Sequence, residues 1–209
     1  MMVRTLFCAA RRGKLKQSFL KKAVAALKKG GLVVFPTETV YGLAVDPRKR
    51  RALESLRRLK GRDAGKALTL QVPDVAQAKK LVKPNALFEH CAKTYWPGPL
   101  TLVAKKAGGP GKIGLRIPRH EIALSVLRAY GKPLAVTSVN RSGEPSIGDA
   151  AALRRFLDGK VDIVILDRVR PALASTVVDV SAGRVEVIRE GPIRPSDIEN
   201  GLSGAGPQR

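Results

Sequence analysis

Side chains that could do chemistry gather in four short clusters, each at the end of an expected strand or helix, where polar groups can converge on a pocket. The first is Pro36-Thr37-Glu38-Thr39-Val40-Tyr41-Gly42-Leu43, which holds hydroxyls, a carboxylate and a phenol in one turn. Thr37 suits a small polar substrate, although Thr and Glu also simply cap turns. The second is Lys60-Gly61-Arg62 at the end of a basic helix. Arg is a bidentate phosphate donor and Lys a mobile point charge, so the pair suits a triphosphate; satisfying helix-terminal carbonyls is the alternative. The third is Thr137-Ser138-Val139-Asn140-Arg141-Ser142-Gly143-Glu144-Pro145-Ser146, a hydroxyl-rich loop whose N–H groups could cradle phosphate oxygens, or a plain capped loop. The fourth is Ser175-Thr176-Val177-Val178-Asp179, followed by Arg189-Glu190-Gly191. Asp179 lies opposite Val178 on an alternating strand and reads as solvated or paired rather than catalytic.

Other constellations are missing from the sequence. The only histidines are His90 and His120, too few for a multi-histidine metal centre, and His120 reads as structural or exposed. No GxxxxGK[ST] phosphate loop and no G-x-S-x-G elbow occurs. Cys8 and Cys91 have neither disulfide-framework nor metal-ligand spacing, and no metal ligands are assigned. Read from the residues alone, this is a basic α/β protein with an anion-binding pocket.

The elements that must position these clusters alternate along the chain. Helices are expected over 19–29, capped by Ser18 and ended by Gly30-Gly31, and over 49–60, 74–83, 85–95, 120–130 and 150–157. Strands are expected over 32–36, 67–72, 100–105, 113–118, 133–138, 161–167, 175–180 and 184–190. The last two read as an antiparallel pair turning at Ser181-Ala182-Gly183. From Ser196 the chain turns Gly-rich and polar, and a fraying tail is expected.

Charge adds a partner class. The chain has 39 Lys+Arg against 17 Asp+Glu, a formal net charge of +22. Such an excess repels itself in the compact state, so a polyanionic partner is the natural reason for it. The excess is also directional: no acidic residue precedes Glu38, and Arg48-Lys49-Arg50-Arg51 and Arg57-Arg58 form a second run. No stretch is apolar enough to span a membrane, and two isolated cysteines fit a reduced, cytoplasmic setting.

At these clusters the sequence resembles the YrdC/Sua5 family. The matching stretches are FPTETVYGL (35–43), KGR (60–62), YWPGPLTLV (95–103), IGLRIP (113–118), SVNRSGEPS (138–146), STVVD (175–179) and REG (189–191), in family order. The resemblance implies an open, twisted, mixed α/β sheet with flanking helices and a concave basic face. It implies a short single-domain form over 1–195 with a flexible tail over 196–209. It implies synthesis of threonylcarbamoyl-adenylate and pyrophosphate from L-threonine, bicarbonate and ATP, with Mg²⁺ carried by the nucleotide. The product would feed the t⁶A modification of tRNA through downstream threonylcarbamoyl-transfer proteins. By resemblance, Lys60, Arg62, Thr101, Ser138, Asn140, Ser146 and Arg189 surround ATP, with Lys60 and Arg62 catalytic. Thr37, Arg116, Ser175 and the backbone of Val136 hold threonine. The sequence departs from the family at Asp63, Gln71 and Val139. The competing expectation is a non-catalytic protein of the same fold that binds tRNA or double-stranded RNA, or serves ribosome maturation.

Overall fold

The computed structural model describes residues 4–11, 13–61, 68–167 and 173–203. Within them the strands are β1 (Leu6–Ala9), β2 (Val33–Phe35), β3 (Gly42–Val45), β4 (Thr69–Gln71), β5 (Leu100–Lys105), β6 (Lys112–Arg116), β7 (Leu134–Ser138), β8 (Ile163–Leu166), β9 (Thr176–Asp179) and β10 (Glu186–Arg189). The helices are α1 (Gln17–Lys29), α2 (Arg50–Lys60), α3 (Val75–Lys79), α4 (Ala86–Tyr95), α5 (Glu121–Tyr130), α6 (Ala150–Leu157) and α7 (Pro195–Ser203). All ten strands form one mixed sheet in the order β1-β8-β2-β3-β7-β4-β6-β5-β9-β10.

Three apolar clusters bind helices to this sheet. Leu27, Phe35, Val126, Leu127 and Ile163 belong to a cluster that carries α1 and α5. Val34, Leu43, Leu56, Leu153 and Val164 carry α2 and α6. Leu102, Leu115 and Val178 meet Phe88, Cys91 and Ile198 in the third, which carries α4 and α7. The last cluster explains the site. On β4, β6, β5 and β9, Leu70, Leu115, Leu102 and Val178 point towards α4. Strand side chains alternate, so their neighbours must point the other way.

Most expected elements are present, with shorter ends. Ser18 is not the cap of α1: Lys16 holds that position and makes no side-chain cap bond. The helix expected over 74–83 is the five-residue α3, capped by Asp74, whose side chain accepts from Gln77 N–H. Strands β1 and β3 lack a clear alternating pattern and were not expected. The tail expected over 196–209 is helical as far as Ser203, and residues 204–209 lie outside the described residues. Pro195 to Ser203 are helical, Ile198 is fully buried against the α4 cluster, and Tyr95 Oη donates to Asp197 O at 3.0 Å. One well-placed isoleucine outweighs the polar composition around it.

One polar clamp joins the β3–α2 turn to the end of α5. Asp46 is fully buried and accepts from Arg48 Nε at 2.9 Å, Arg48 Nη2 at 2.7 Å and Tyr130 Oη at 2.5 Å. Burial by itself would raise this carboxyl, but the hydrogen bonds from Arg48 and Tyr130 outweigh it and hold its pKa at about 2. The unfolded chain takes up this proton first, so the clamp stabilises the fold above the ordinary value of 3.8 and fails as pH falls through about 2. Thermal unfolding should therefore show an acid-dependent loss between those values that is smaller in Asp46→Asn; equal losses in both proteins would exclude the clamp as a source of acid sensitivity. Ile198→Ala should cost about 2–5 kcal/mol in urea unfolding, the range for deleting a buried branched side chain; an unchanged midpoint would mean that the end of the chain is dispensable.

Candidate active site

The side chains opposite the α4 cluster make the floor of a cavity of about 780 Å³. They are Thr69 and Gln71 on β4, Lys112, Gly114 and Arg116 on β6, Thr101 and Val103 on β5, and Val177 on β9. The register puts them in rows, with Gln71 beside Arg116 and Val103 beside Gly114. Walls come from Thr37, from Val40 to Gly42, from Lys60 at the end of α2, from the loop after β7, and from Ser175, Ile188 and Arg189. Four cations (Lys60, Lys112, Arg116 and Arg189) line it, and no carboxylate does among the described residues.

Lys60 reaches this place because α2 is amphipathic and stops there. Ala52, Leu56 and Lys60 share its buried face, and Gly61 ends it in the left-handed conformation with φ 58°. Lys60 is 3% exposed. Its Nζ donates to Ser138 O at 2.8 Å and to Asn140 Oδ1. Ser138 Oγ donates to the same Asn140 oxygen at 2.7 Å, and Asn140 Nδ2 donates to Glu144 O. The amide thus ties the loop to the lysine, while Ser142 N–H closes on Lys60 O at 2.9 Å.

Arg116 occupies the opposite end, 5% exposed. Nε donates to Gly98 O at 3.2 Å, and Nη2 donates to Thr39 Oγ1 at 2.8 Å and lies 3.0 Å from Glu38 Oε1. These contacts engage Nε and Nη2, and Arg116 lines the cavity. The Tyr95-to-Leu102 stretch supplies the carbonyl at Gly98 and the strand bearing Thr101. Thr37 Oγ1 donates to Val40 O at 2.6 Å and stands 3.0 Å from Thr39 Oγ1, so its turn is closed by its own hydroxyl. Both roles proposed for the first cluster, turn capping and cavity lining, are present in the same residue.

Ser175 links the third wall. Its Oγ is 2.9 Å from Thr101 Oγ1, and Arg189 donates to Ser175 O from Nε at 3.0 Å and from Nη2 at 2.8 Å. Arg189 is aimed by an irregularity: Val187 pairs with Val178, yet Arg189 pairs with Val177, so Ile188 is extra. Gly191 then passes so close that an added Cβ would sit 2.4 Å from both Ala174 O and Thr176 N.

Of the residues expected at a site, Thr37, Lys60, Thr101, Arg116, Val136, Ser138, Asn140, Ser175 and Arg189 line one cavity. Ser146 is half-buried on the same loop but is not among the lining residues, because the chain there already turns back through Ile147 N–H to Val139 O at 2.9 Å. Arg62 lies outside the described residues, as does Asp63. Sequence reasoning missed Lys112, Gly114 and Thr69, which the two-residue period leading to Arg116 and Gln71 could have found. Gln71 Oε1 is buried with no hydrogen-bond partner among the described residues. Asp179 is paired, with Lys112 Nζ at 2.7 Å, as its strand position suggested. His120 is half-buried ahead of α5 and does not line the cavity; burial lowers its pKa, opposed by Asp167, Glu38 and Glu121.

The chain is an α/β protein whose mixed sheet carries, on one face, a cavity lined by four cations. The chain belongs to the Sua5/YciO/YrdC family, whose model, described as telomere recombination, matches residues 25–191. It is 34% identical over 177 residues to a threonylcarbamoyl-AMP synthase of Thiobacillus denitrificans, an alignment covering 77% of this chain and 90% of the relative. It is 33% identical over 199 residues to the threonylcarbamoyl-AMP synthase of Pyrococcus abyssi, covering 90% of this chain and 58% of that protein. The crystal structure of P. abyssi Sua5 complexed with L-threonine superposes with a TM-score of 0.84 at 30% identity, covering 95% of this chain and 60% of that one. The chain thus spans less than two thirds of the P. abyssi proteins.

Gly191→Ala should lower the thermal midpoint by an amount equivalent to about 1–3 kcal/mol, the usual cost of overpacking. It should also displace Ser175, since the new methyl group meets backbone and not a flexible side chain. A variant with wild-type stability would show that the close passage is not maintained in solution.

Proposed function

We propose that this chain is a threonylcarbamoyl-AMP synthase, a nucleotidyltransferase that makes threonylcarbamoyl-adenylate and pyrophosphate from L-threonine, bicarbonate and ATP for t⁶A modification of tRNA. The observation that carries this reading is the convergence of Lys60, Lys112, Arg116 and Arg189 on one cavity, with hydroxyl and amide groups between them. Family membership and the synthase relatives support it.

The chemistry explains the arrangement. Threonine's amine attacks bicarbonate-derived carbon, water leaves, and a carbamate forms. A carbamate oxygen then attacks the α-phosphorus of ATP, and pyrophosphate departs with the bonding electrons. Nucleophile and target are both anionic, so the reaction needs preorganised positive charge more than it needs a protein nucleophile. Arg116, with Thr39 bonded to it and Thr37 beside Thr39, suits the threonine carboxylate and hydroxyl, with Ser175 assigned there by resemblance. Lys60, Ser138, Asn140 and Arg189 suit phosphate oxygens, with Arg62 assigned there by resemblance. The floor supplies backbone and small side chains at Val136 and Gly114, so substrate can lie close to the sheet. Burial of Lys60 and Arg116 raises the electrostatic effect of each. Among the described residues no group of three or more His, Cys, Asp or Glu could hold a metal ion. In this reading a divalent ion would arrive on the nucleotide's phosphates, and no step is assigned to it.

The test is mass detection of threonylcarbamoyl-adenylate from purified protein with its three substrates; absence of product with well-folded protein would refute the reading. Lys60→Ala should lower pyrophosphate release by about 10²-fold or more, the scale for deleting an electrostatic stabiliser. Thr37→Ala should raise the threonine requirement more than the ATP requirement, and the reverse pattern would reassign the two ends of the cavity.

A further inference from the structure

A second cavity, of about 650 Å³, lies on the other side of Lys60. Its walls are the last turns of α2, the loop at Arg141 to Glu144, and the end of α6 with Lys160. Lys60 and Ser142 line both cavities, so they form the partition between them.

This hollow has the composition of a phosphate site. Arg58, Arg141 and Lys160 are exposed cations on three separate segments that face one space, against one carboxylate, Glu144. Lys160 is held in place: its Nζ donates to Phe156 O at 2.9 Å and stands 5.3 Å from the Phe156 ring centroid. Leu59 and Phe156 supply apolar wall beside the charges. The C-terminal carbonyls of α2 would repel an anion, but two of them are engaged: Gly61 N–H bonds Arg58 O at 3.2 Å, and Ser142 N–H bonds Lys60 O at 2.9 Å. Side-chain cations outnumber the one carboxylate that lines the hollow.

The hollow also ends a track of positive charge. The C-terminus of α1, with Lys28 and Lys29, comes against Lys49 at Gly30. From there Arg50, Arg51 and Arg58 stand exposed along α2, with only Glu54 paired to Arg50 at 2.9 Å. A chain of phosphates could follow the helix into the second cavity; a single small anion needs only the hollow.

We infer that this second cavity is a phosphate-binding site distinct from the reaction cavity, accepting a nucleotide phosphate through Arg58, Arg141 and Lys160 with the sugar or base against Leu59 and Phe156. The phosphate comes either from an RNA strand laid along α2 or from a free nucleotide, and the track favours the RNA strand. Because the partition includes Ser142, an occupant would press on the loop that holds Asn140.

The test compares wild-type protein with Arg58→Ala/Arg141→Ala/Lys160→Ala, all exposed positions outside the reaction cavity. Two probes are titrated, a short single-stranded RNA oligonucleotide of mixed sequence and AMP, with threonine and a non-hydrolysable ATP analogue saturating the reaction cavity. Loss of three phosphate contacts should weaken RNA binding tenfold or more and flatten the log–log salt dependence by about 2, from roughly 0.7 per contact on single strands. Weakened AMP binding with unchanged RNA binding would assign the site to a free nucleotide. If neither probe distinguishes the variant, or wild type binds neither, the inference is wrong. Thermal midpoints and RNA-free turnover should match wild type, which separates this outcome from failure of the synthase reading. Charge reversal at Arg141→Glu alone should reproduce the direction of the effect.

Discussion

Everything in the site depends on holding like charges close together without letting carboxylates quench them. The fold does this largely with neutral oxygens. Lys60 is seated on the Ser138 carbonyl and the Asn140 amide, Arg189 on the Ser175 carbonyl, and Arg116 on the Gly98 carbonyl and the Thr39 hydroxyl. Such acceptors fix direction while leaving the cation's net charge available to a ligand. Where carboxylates do take part, they lie outside the cavity lining: Glu38 touches Arg116 and Asp179 pairs with Lys112, and both of those cations line the cavity.

The sheet makes this arrangement affordable in conformational terms. Leu70, Leu102, Leu115 and Val178 commit one face to α4, and that commitment alone orients Gln71, Thr101, Arg116 and Val177 to the other. A slip of one residue in β6 would bury Arg116 in the apolar cluster and expose Leu115, so the apolar register also enforces the polar one. Packing and chemistry are two faces of the same strands.

This coupling shows which parts were readable in advance. Strand β5 and helix α6 carry strong periods and clear ends, and both were expected with the bounds observed. Cluster membership of Thr37, Lys60, Ser138, Asn140, Ser175 and Arg189 was legible because polar residues at the ends of elements have few packing reasons to be there, whereas Arg116 came only from the family resemblance. Strands β1 and β3 were not legible, since Leu6–Ala9 and Gly42–Val45 show no clear alternation of their own and gain strand identity from pairing, with the distant β8 for the first and with β2 and the distant β7 for the second. Helix α7 was misread because a single buried isoleucine leaves little trace in a composition. Lys112 went unnoticed because a lysine in a loop-flanked strand looks like ordinary surface until its partner Asp179 and its row mates are known.

The extra residue at Ile188 has a consequence for the molecule's colloidal behaviour. β10 closes one side of the sheet, and Val187 and Ile188 are 44% and 59% exposed on it. A flat strand with such side chains invites another chain to add on by backbone pairing. The irregularity that swings Arg189 towards Ser175 also breaks the straight row of donors and acceptors that an incoming strand would need. One backbone defect thus discourages polymerisation at the rim of the sheet while steering an arginine within it.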